Sequence, residues 1–367
     1  MMYNNLYKDK VVLITGHTGF KGSWLTIWLL KLGAKIVGIS KDIPTNPSMF
    51  DALNLEKKII DYRFDINDLE KLKATIQKEK PDFIFHLAAQ SLVSVSYSNP
   101  LETFFSNSMG TANLLESIRF YQNKITLILI TSDKAYDNVE QIWGYKENDK
   151  MGGKDIYSGS KGAAELVIKS YYNSFFKFDH SNIRLAVARA GNVIGGGDWA
   201  KDRIVADAIL AWNKEEKVEI RSPNATRPWQ HVLEPLSGYL NLGMKLHESK
   251  ILNGECFNFG PITGEDKTVK KLLTDLSKYW DFSKNNEAIS INENKNFHEA
   301  TLLKLNCEKS LALLNWHSSL DYKDTIKFIC EWYSGYYKKN ADMNEITNNQ
   351  ILNYQSIAKL KFLKWTA

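Results

Sequence analysis

This sequence predicts an α/β fold with a doubly wound parallel sheet, and three observations predict it. Short apolar runs alternate with helical stretches from residue 10 onward, the pattern of successive β-α-β units. Several runs, such as Thr126-Leu127-Ile128-Leu129-Ile130, carry no polar alternation and so suit strands covered on both faces. A glycine-rich loop, Gly16 to Gly22, joins the first run to the first helical stretch. After the 126–130 run come a hydroxyl, a carboxylate and an ammonium in succession, Ser132-Asp133-Lys134. The carboxyl edge of an open α/β sheet is where ligands bind, although Ser and Asp in such a place are also ordinary helix caps.

The chain has 367 residues, 44% of them hydrophobic and 24% charged, which suits one large or two interleaved globular domains. Lys and Arg number 47 against 42 Asp and Glu, a balance of +5 that is scattered without a basic block, so no nucleic-acid partner is expected. No run approaches the ~18 apolar residues that span a bilayer. The polar segment Met1 to Lys10 leads directly into a strand, so neither a membrane partner nor a signal peptide is expected. Cys256, Cys307 and Cys330 lie far apart without metal-ligand spacing, which suits a reducing cytoplasm and gives no metal site.

The first β-α-β unit is the most explicit. Lys10-Val11-Val12-Leu13-Ile14-Thr15 reads as a strand, Ser23 to Leu30 as a helix ending near Gly33, and Lys35-Ile36-Val37-Gly38-Ile39 as the next strand. Between the first two, Gly16, Gly19 and Gly22 form G-x-x-G-x-x-G. In this context the first glycine allows a tight turn, the second lets the backbone approach a pyrophosphate, and the third lets helix and strand pack closely. The unit therefore predicts dinucleotide binding and a Rossmann-type sheet. The segment Ser40-Lys41-Asp42 leaves the cofactor open: an acid here suits the ribose of NAD, whereas Lys41 suits the extra phosphate of NADP. Asp65-Ile66 follows a further short strand, and 68–78 reads as a helix with a polar face. The run Phe83 to Gln90 is a buried strand ending in small residues, its His86 expected to be structural, and 103–121 reads as a long helix.

Tyr157 and Lys161 open a helix expected to run to about Phe178 and, four residues apart, share one of its faces. A phenol with a pKa of about 10 is a poor base at neutral pH, but a nearby ammonium and an oxidised nicotinamide both favour the phenolate. Downstream of a G-x-x-G-x-x-G unit, the pair reads as a base and its cofactor-bound helper.

These residues resemble the extended short-chain dehydrogenase/reductase superfamily and, within it, the CDP-glucose 4,6-dehydratases. The resemblance spans nearly the whole chain and is carried by Gly16 to Leu25, Pro44 to Phe50, His86 to Gln90, Ser132 to Asn138, Trp143 to Glu147, Ala188 to Trp199 and Arg227 to Val232. Dehydratases of dTDP- or GDP-sugars usually show Asp-Glu where this chain has Asp133-Lys134, and Lys134 is what points to the CDP-glucose group. That group more often shows Cys at Ala135. The resemblance implies NAD, a nucleotide-sugar substrate, a homodimer and a place in deoxysugar or O-antigen precursor biosynthesis. It implies oxidation at C4, loss of water across C5 and C6, and return of the hydride to C6, giving CDP-4-dehydro-6-deoxyglucose. Tyr157 would be the C4 base with Ser132 on the same oxygen and Lys161 on the nicotinamide ribose; Asp133 would be the acid and Lys134 the base of the elimination. It assigns to the cofactor Gly16, Thr18, Gly19, Phe20, Gly22, Asp65, Ile66, Leu87, Ala88, Ala89 and Asn107, with Tyr157 and Lys161. An acid must hold its proton and a base must lose one at neutral pH, so Asp133 needs a raised pKa and Lys134 a lowered one.

From Gly191 the alternating pattern loosens. Residues 1–190 and 229–259 are expected to form the NAD-binding Rossmann domain, and 191–228 with 260–367 a smaller α/β sugar-nucleotide domain. Substrate contacts are expected from Gln90, Asn192 and His231, and from Arg203, Arg221 and Arg227, whose guanidinium forks suit a diphosphate. Trp199 and Trp229 are candidates to flank the base. Helices 103–121 and 157–178 would build the dimer interface, and 346–363 a terminal packing helix. Two other enzymes stay open: a dehydratase of another nucleotide sugar, such as a GDP-linked one, and a 4-epimerase, against which Asp133 and Lys134 speak. A non-catalytic NAD-binding scaffold would have no need of Tyr157 and Lys161.

Overall fold

Seven strands form one parallel sheet: β1 (Val11–Thr15), β2 (Lys35–Ser40), β3 (Ile60–Arg63), β4 (Phe83–His86), β5 (Ile125–Ile130), β6 (Ile183–Ala190) and β7 (Cys256–Phe259). Their order is β7-β6-β5-β4-β1-β2-β3, so the chain reverses direction across the sheet between β1 and β4, and a crevice opens there at the strands' carboxyl ends. The computed structural model describes residues 2–261, 267–280, 282, 288–292 and 302–366. Every residue of β5 is buried, which is why its sequence shows no alternation.

Helices α1 (Phe20–Lys31), α2 (Leu69–Glu79), α3 (100–118) and α4 (Ile156–Tyr171) connect the strands. The sheet divides two cores. One packs Leu13, Val37, Ile84, Leu127 and Leu185 against Leu72, Leu114 and Ile168 of α2, α3 and α4. The other packs Val12, Ile14, Phe85 and Ile128 against Trp24 and Trp28 of α1. Helix α3 begins at Pro100, earlier than the expected Thr103, because Pro is tolerated in a first turn. It contains a π-helical turn, Phe105–Met109, and α4 passes into another, Tyr172–Phe176.

Beyond β6 the chain alternates between a second layer and the main sheet. Helix α5 (Ile204–Asn213) and short ladders pairing Val218–Ile220 with Ile289–Ile291 and Thr226–Arg227 with Lys267–Thr268 lie on the substrate side of the expected division, whereas the ladder of Val193–Ile194 with Gln230–His231 crosses it. Helix α6 (Leu233–Glu248) returns to β5 and β6. After α7 (Val269–Trp280), helix α8 (Tyr322–Tyr337) packs on α7 and on α9 (Met343–Leu360), and α9 comes back to α1, where Tyr354 stands edge-on to Trp28 at 5.7 Å. Trp365 stacks on Tyr3 at 5.1 Å, so the last described residues share a core with the first. Of the expected segment 260–367, residues 262–266, 281, 283–287, 293–301 and 367 lie outside the described residues.

A buried carboxylate joins α6 to this C-terminal layer. Glu234 accepts hydrogen bonds from the backbone N–H groups of Ser319 and Leu320 and from the Tyr354 hydroxyl. Burial outweighs these donors and pushes its carboxyl up to about 7. The folded state then holds a proton that the unfolded chain, with a carboxyl near 4.5, releases, so stability falls as pH rises between those values and levels off above about 7. The expected loss is about 3 kcal/mol across that window. Tm measured against pH should show this slope, and Glu234→Gln, though less stable throughout, should lose it; an unchanged slope in the variant would assign it to other groups.

Candidate active site

The glycine loop is shaped by what a side chain would strike. Gly16 takes φ +75°, where L side chains are strained, and a Cβ there would lie 2.8 Å from the Ala88 backbone nitrogen. A Cβ on Gly22 would lie 2.1 Å from the Gly16 carbonyl oxygen, so this glycine seats the helix on its own loop, not on the strand. Gly19 is different: a Cβ there would meet only the Gly16 carbonyl, at 3.4 Å, and no side chain caps the N-terminus of α1. The first turn of α1 thus offers backbone N–H groups and the positive end of a helix to the crevice. This open, uncapped cradle fits a dinucleotide pyrophosphate.

Buried polar contacts hold the cradle. The fully buried His17 ring bridges Ser40 Oγ at 3.0 Å and Asp61 Oδ1 at 2.9 Å, in space left by Gly38. Thr18 donates its hydroxyl to the Asp42 carbonyl at 2.7 Å, and Ile66 packs on Gly110 of α3. Asp65 accepts from Asn67 and lies 3.8 Å from the Lys41 ammonium, which also reaches Glu102 at 3.4 Å. Lys41 is therefore engaged by two carboxylates at the place where the extra phosphate of NADP would need it. His86 is bonded to Thr15 and Thr111 and is structural, as expected.

Leu87, Ala88 and Ala89 form the half-buried floor beyond β4. The buried Asn107 does not reach into the crevice: its carbonyl oxygen accepts from Gln90 N, and its amide donates to Gln90 O and to Ser160 Oγ of α4. It sits in the π turn and braces the β4 loop against α4. The Gln90 amide donates to Leu92 O and Thr103 Oγ1.

Ser132, Asp133 and Lys134 form a tight turn directly after β5 and Thr131. Ser132 Oγ accepts from Lys134 N at 3.2 Å and donates to Asp133 Oδ1 at 2.9 Å, and it lies close enough to the Tyr157 hydroxyl to favour its ionised form. Asp133 is 3% exposed, and its Oδ2 has no partner among the described residues. Burial raises its carboxyl, against the pull of Lys134, Ser132, Lys21 and Arg227. A Cβ on Gly191 would lie 3.3 Å from this same oxygen. Lys134 stays half-buried beside it.

Asp155 caps α4 through Ser158 N and so places Tyr157 in the first turn, with the Lys161 ammonium 5.9 Å from its ring centroid. Burial raises the Tyr157 phenol and lowers the Lys161 ammonium to about 8. The expectation that Lys161 draws Tyr157 toward phenolate is not met in the protein alone. Burial outweighs it, and the cation that lowers Tyr157 is Arg203.

The substrate-side residues divide. Arg203, which donates to Ser91 O at 3.1 Å, acts electrostatically on Tyr157 and on Lys21, and the Asp133 carboxylate senses Arg227. Arg221 lies at the edge, half-exposed and 3.5 Å from Asp202. Asn192 is half-buried next to Gly191, its carbonyl accepting from Gln230 N. His231 is not brought to the others: its ring is fully buried edge-on to Trp24 and Phe328, and burial holds it near 3. Trp199 likewise packs against Trp332 and Tyr336 and donates to Tyr337, so it serves the core. Trp229 is buried and donates to Lys267 O.

A sequence profile of the GDP-mannose 4,6 dehydratase family matches residues 13–329. The chain belongs to that family. It is 42% identical over 360 residues to the CDP-glucose 4,6-dehydratase of Salmonella typhimurium, covering 97% of this chain and 99% of that protein. Its fold matches the dTDP-glucose 4,6-dehydratase of Streptomyces venezuelae, solved with NAD, at a TM-score of 0.76 and 17% identity over 90% of this chain and 99% of that one. The UDP-glucose 4-epimerase of Thermotoga maritima, solved with UDP-glucose, gives 0.76 and 21% over 89% and 99%.

Within this 4,6-dehydratase framework, two groups were passed over by sequence reasoning. Lys21, inside the glycine motif, interacts with Asp133, Asp198 and Arg203, and burial lowers its ammonium to about 8. Asp198, in the loop after β6, has its carboxyl raised by burial against Arg203 and Lys21. Both lie in stretches that carry the resemblance, but neither was given a role, because a first-turn side chain and a loop carboxylate converge only in the folded molecule.

Proposed function

We propose that this chain is an NAD-dependent CDP-glucose 4,6-dehydratase that forms CDP-4-dehydro-6-deoxy-D-glucose and water. The observation that carries the reading is the juxtaposition of Tyr157 and Lys161 with a turn whose buried Asp133 keeps a raised carboxyl. A 42% identical relative named for this activity supports the substrate. Gly16, Gly19 and the first turn of α1 would hold the pyrophosphate of NAD, with Thr18, Phe20, Gly22, Asp65, Ile66 and the 87–89 floor around it. NAD, when bound, supplies a hydride acceptor that gives the hydride back within the same turnover.

Tyr157 takes the proton of the C4 hydroxyl, and Ser132 donates a hydrogen bond to the same oxygen. The C4 ketone acidifies C5. Lys134 accepts the C5 proton, and Asp133 gives its proton to O6, so water leaves. The raised carboxyl of Asp133 is what a proton donor near neutral pH requires. Arg203 and Arg227 face the diphosphate from 191–228, which with 260–367 forms the sugar-nucleotide side; Gln90 and Asn192 line the approach. An epimerase would not need the acid at Asp133.

The chain acts as a homodimer. Leu101, Phe105 and Met109 of α3 and Leu166 of α4 expose apolar side chains on the two helices that would pair with a second copy. Three free thiols suit a reducing cytoplasm and a role in deoxysugar and lipopolysaccharide precursor synthesis. The test is incubation of the protein with CDP-glucose and catalytic NAD. The expected result is a product lighter by one water that absorbs after alkaline treatment. Turnover of a GDP-, dTDP- or UDP-sugar with none of CDP-glucose would overturn the substrate.

A further inference from the structure

We propose that the buried Glu165–Arg189 pair is the positioning device of this site, clamping both ends of the Ser132–Lys134 turn to the helix that carries Tyr157 and Lys161. The proposal rests on the reading of the site given above. Glu165 continues the face of α4 on which Tyr157 and Lys161 lie, one turn beyond Lys161. Its Oε1 accepts from the hydroxyl of Thr131, the residue before the turn, at 2.6 Å. Arg189, on β6, grips the carboxylate in bidentate fashion, Nε to Oε1 at 2.8 Å and Nη2 to Oε2 at 2.9 Å. The remaining arm, Nη1, donates at 2.7 Å to the hydroxyl of Tyr136, two residues past Lys134, and at 2.9 Å to Glu147 O. Tyr136 in turn donates its hydroxyl to Asn258 Oδ1 of β7 at 2.8 Å. The two ends of the catalytic turn are therefore held by one ion pair that also fixes the register of α4.

The pair is 6% and 2% exposed. An ion pair so deeply buried has a desolvation penalty comparable to its Coulombic gain, so stability is a weak reason for its presence. What it does that an apolar pair could not is bind Thr131 and Tyr136 at once. It also places a negative charge beside Lys161. Facing the Lys161 ammonium are Tyr157 and Glu165 from its own helix, Lys21 from α1 and His86 from β4. Glu165 is the carboxylate that opposes its loss of charge. Glu165 itself is faced by Arg189 and by the Cys256 thiol of β7, which burial pushes up to about 12 and which stays neutral in the working range.

Three variants test the clamp: Glu165→Gln, the double Glu165→Met/Arg189→Met, and Thr131→Val. For each, kcat and KM for CDP-glucose, the NAD affinity without substrate, and Tm are followed against pH. Removing the negative charge lowers the Lys161 ammonium further, so in Glu165→Gln the break in kcat and the alkaline fall in NAD affinity that Lys161 sets should both move down by about one pH unit, with KM within about threefold. Lys21 titrates in the same range, so the shift is also read in a Lys21→Met background, where it should persist. The double variant replaces a buried pair by apolar groups and is the one expected to stay folded. It should show the same shift, with kcat lower by about 10²-fold because the turn is no longer registered against Tyr157. Thr131→Val should lower kcat by roughly tenfold with the limb in place. A folded double variant with wild-type kcat and an unmoved limb would overturn the clamp, as would a loss of Tm in Glu165→Gln with the limb unmoved. If the wild type fails on CDP-glucose, the functional reading falls, whereas the limb in NAD affinity still decides for or against the pair.

Discussion

Tyr157→Phe is expected to lower kcat by roughly 10³-fold, the middle of the range for a positioned general base, while Tm stays within a few degrees and KM within about threefold. The substitution removes one oxygen. The ring remains in the first turn of α4, capped by Asp155 and buried beside Lys161. In the proposed mechanism the oxygen lost is the acceptor of the C4 proton, so no later step could begin. Because burial raises the phenol while it lowers Lys161 to about 8, rate should rise with pH along a Tyr157 limb and level off once Lys161 loses its proton near 8. Stopped-flow absorbance of the reduced nicotinamide measures the first step directly. A Phe variant that reduces NAD at the wild-type rate would remove Tyr157 from the mechanism.

Asp133→Asn should separate the chemistry into two halves. Oxidation at C4 does not use the carboxyl, so reduced cofactor and the ketone should accumulate. Elimination should fall by roughly 10²-fold or more, since the amide has no proton to give. Product appearance by mass, set against reduced cofactor by absorbance, gives the comparison; equal rates in variant and wild type would exclude Asp133 as the acid. The variant should not be less stable. In the folded chain the carboxyl is raised by burial, so its stabilising contribution is complete at low pH and is lost as pH rises through the raised value. Above that value the ionised group, with Oδ2 unpartnered among the described residues, opposes folding, and the neutral amide relieves it. A Tm equal to or above the wild type at alkaline pH is the expected sign, and a marked decrease would mean that Asp133 is held by contacts of its own.

How much was legible beforehand depends on whether the signal was local. Buried strands such as β5 and β4 announce themselves because a parallel strand covered on both faces has no polar positions. Gly16 and Gly22 were legible as a loop, but their reasons became specific only with the Ala88 and Gly16 backbones in view. Asn107 was given to the cofactor by the resemblance alone. Its work turns out to be bracing Gln90 and Ser160 within a π turn that no periodicity signals. His231 misled for a related reason: an imidazole beside the expected substrate segment suits a ligand, yet here Trp24 of α1 and Phe328 of α8 bury it. A helix about 100 residues further along the chain decided that, and no local pattern contains it.

The sequence by itself determined the doubly wound sheet, the dinucleotide loop and the chemical types gathered at residues 132–134, 157 and 161, because strand burial, glycine geometry and the four-residue helical repeat are short-range constraints. Only the tertiary structure decided their ionisation. Desolvation depends on everything packed around a group, and it raises Asp133 and Tyr157 and lowers Lys161 and Lys21. It also revealed that the Ser132–Lys134 turn is held from behind by Glu165 and Arg189, residues 24 apart on different elements that meet only when β5, β6 and α4 are assembled.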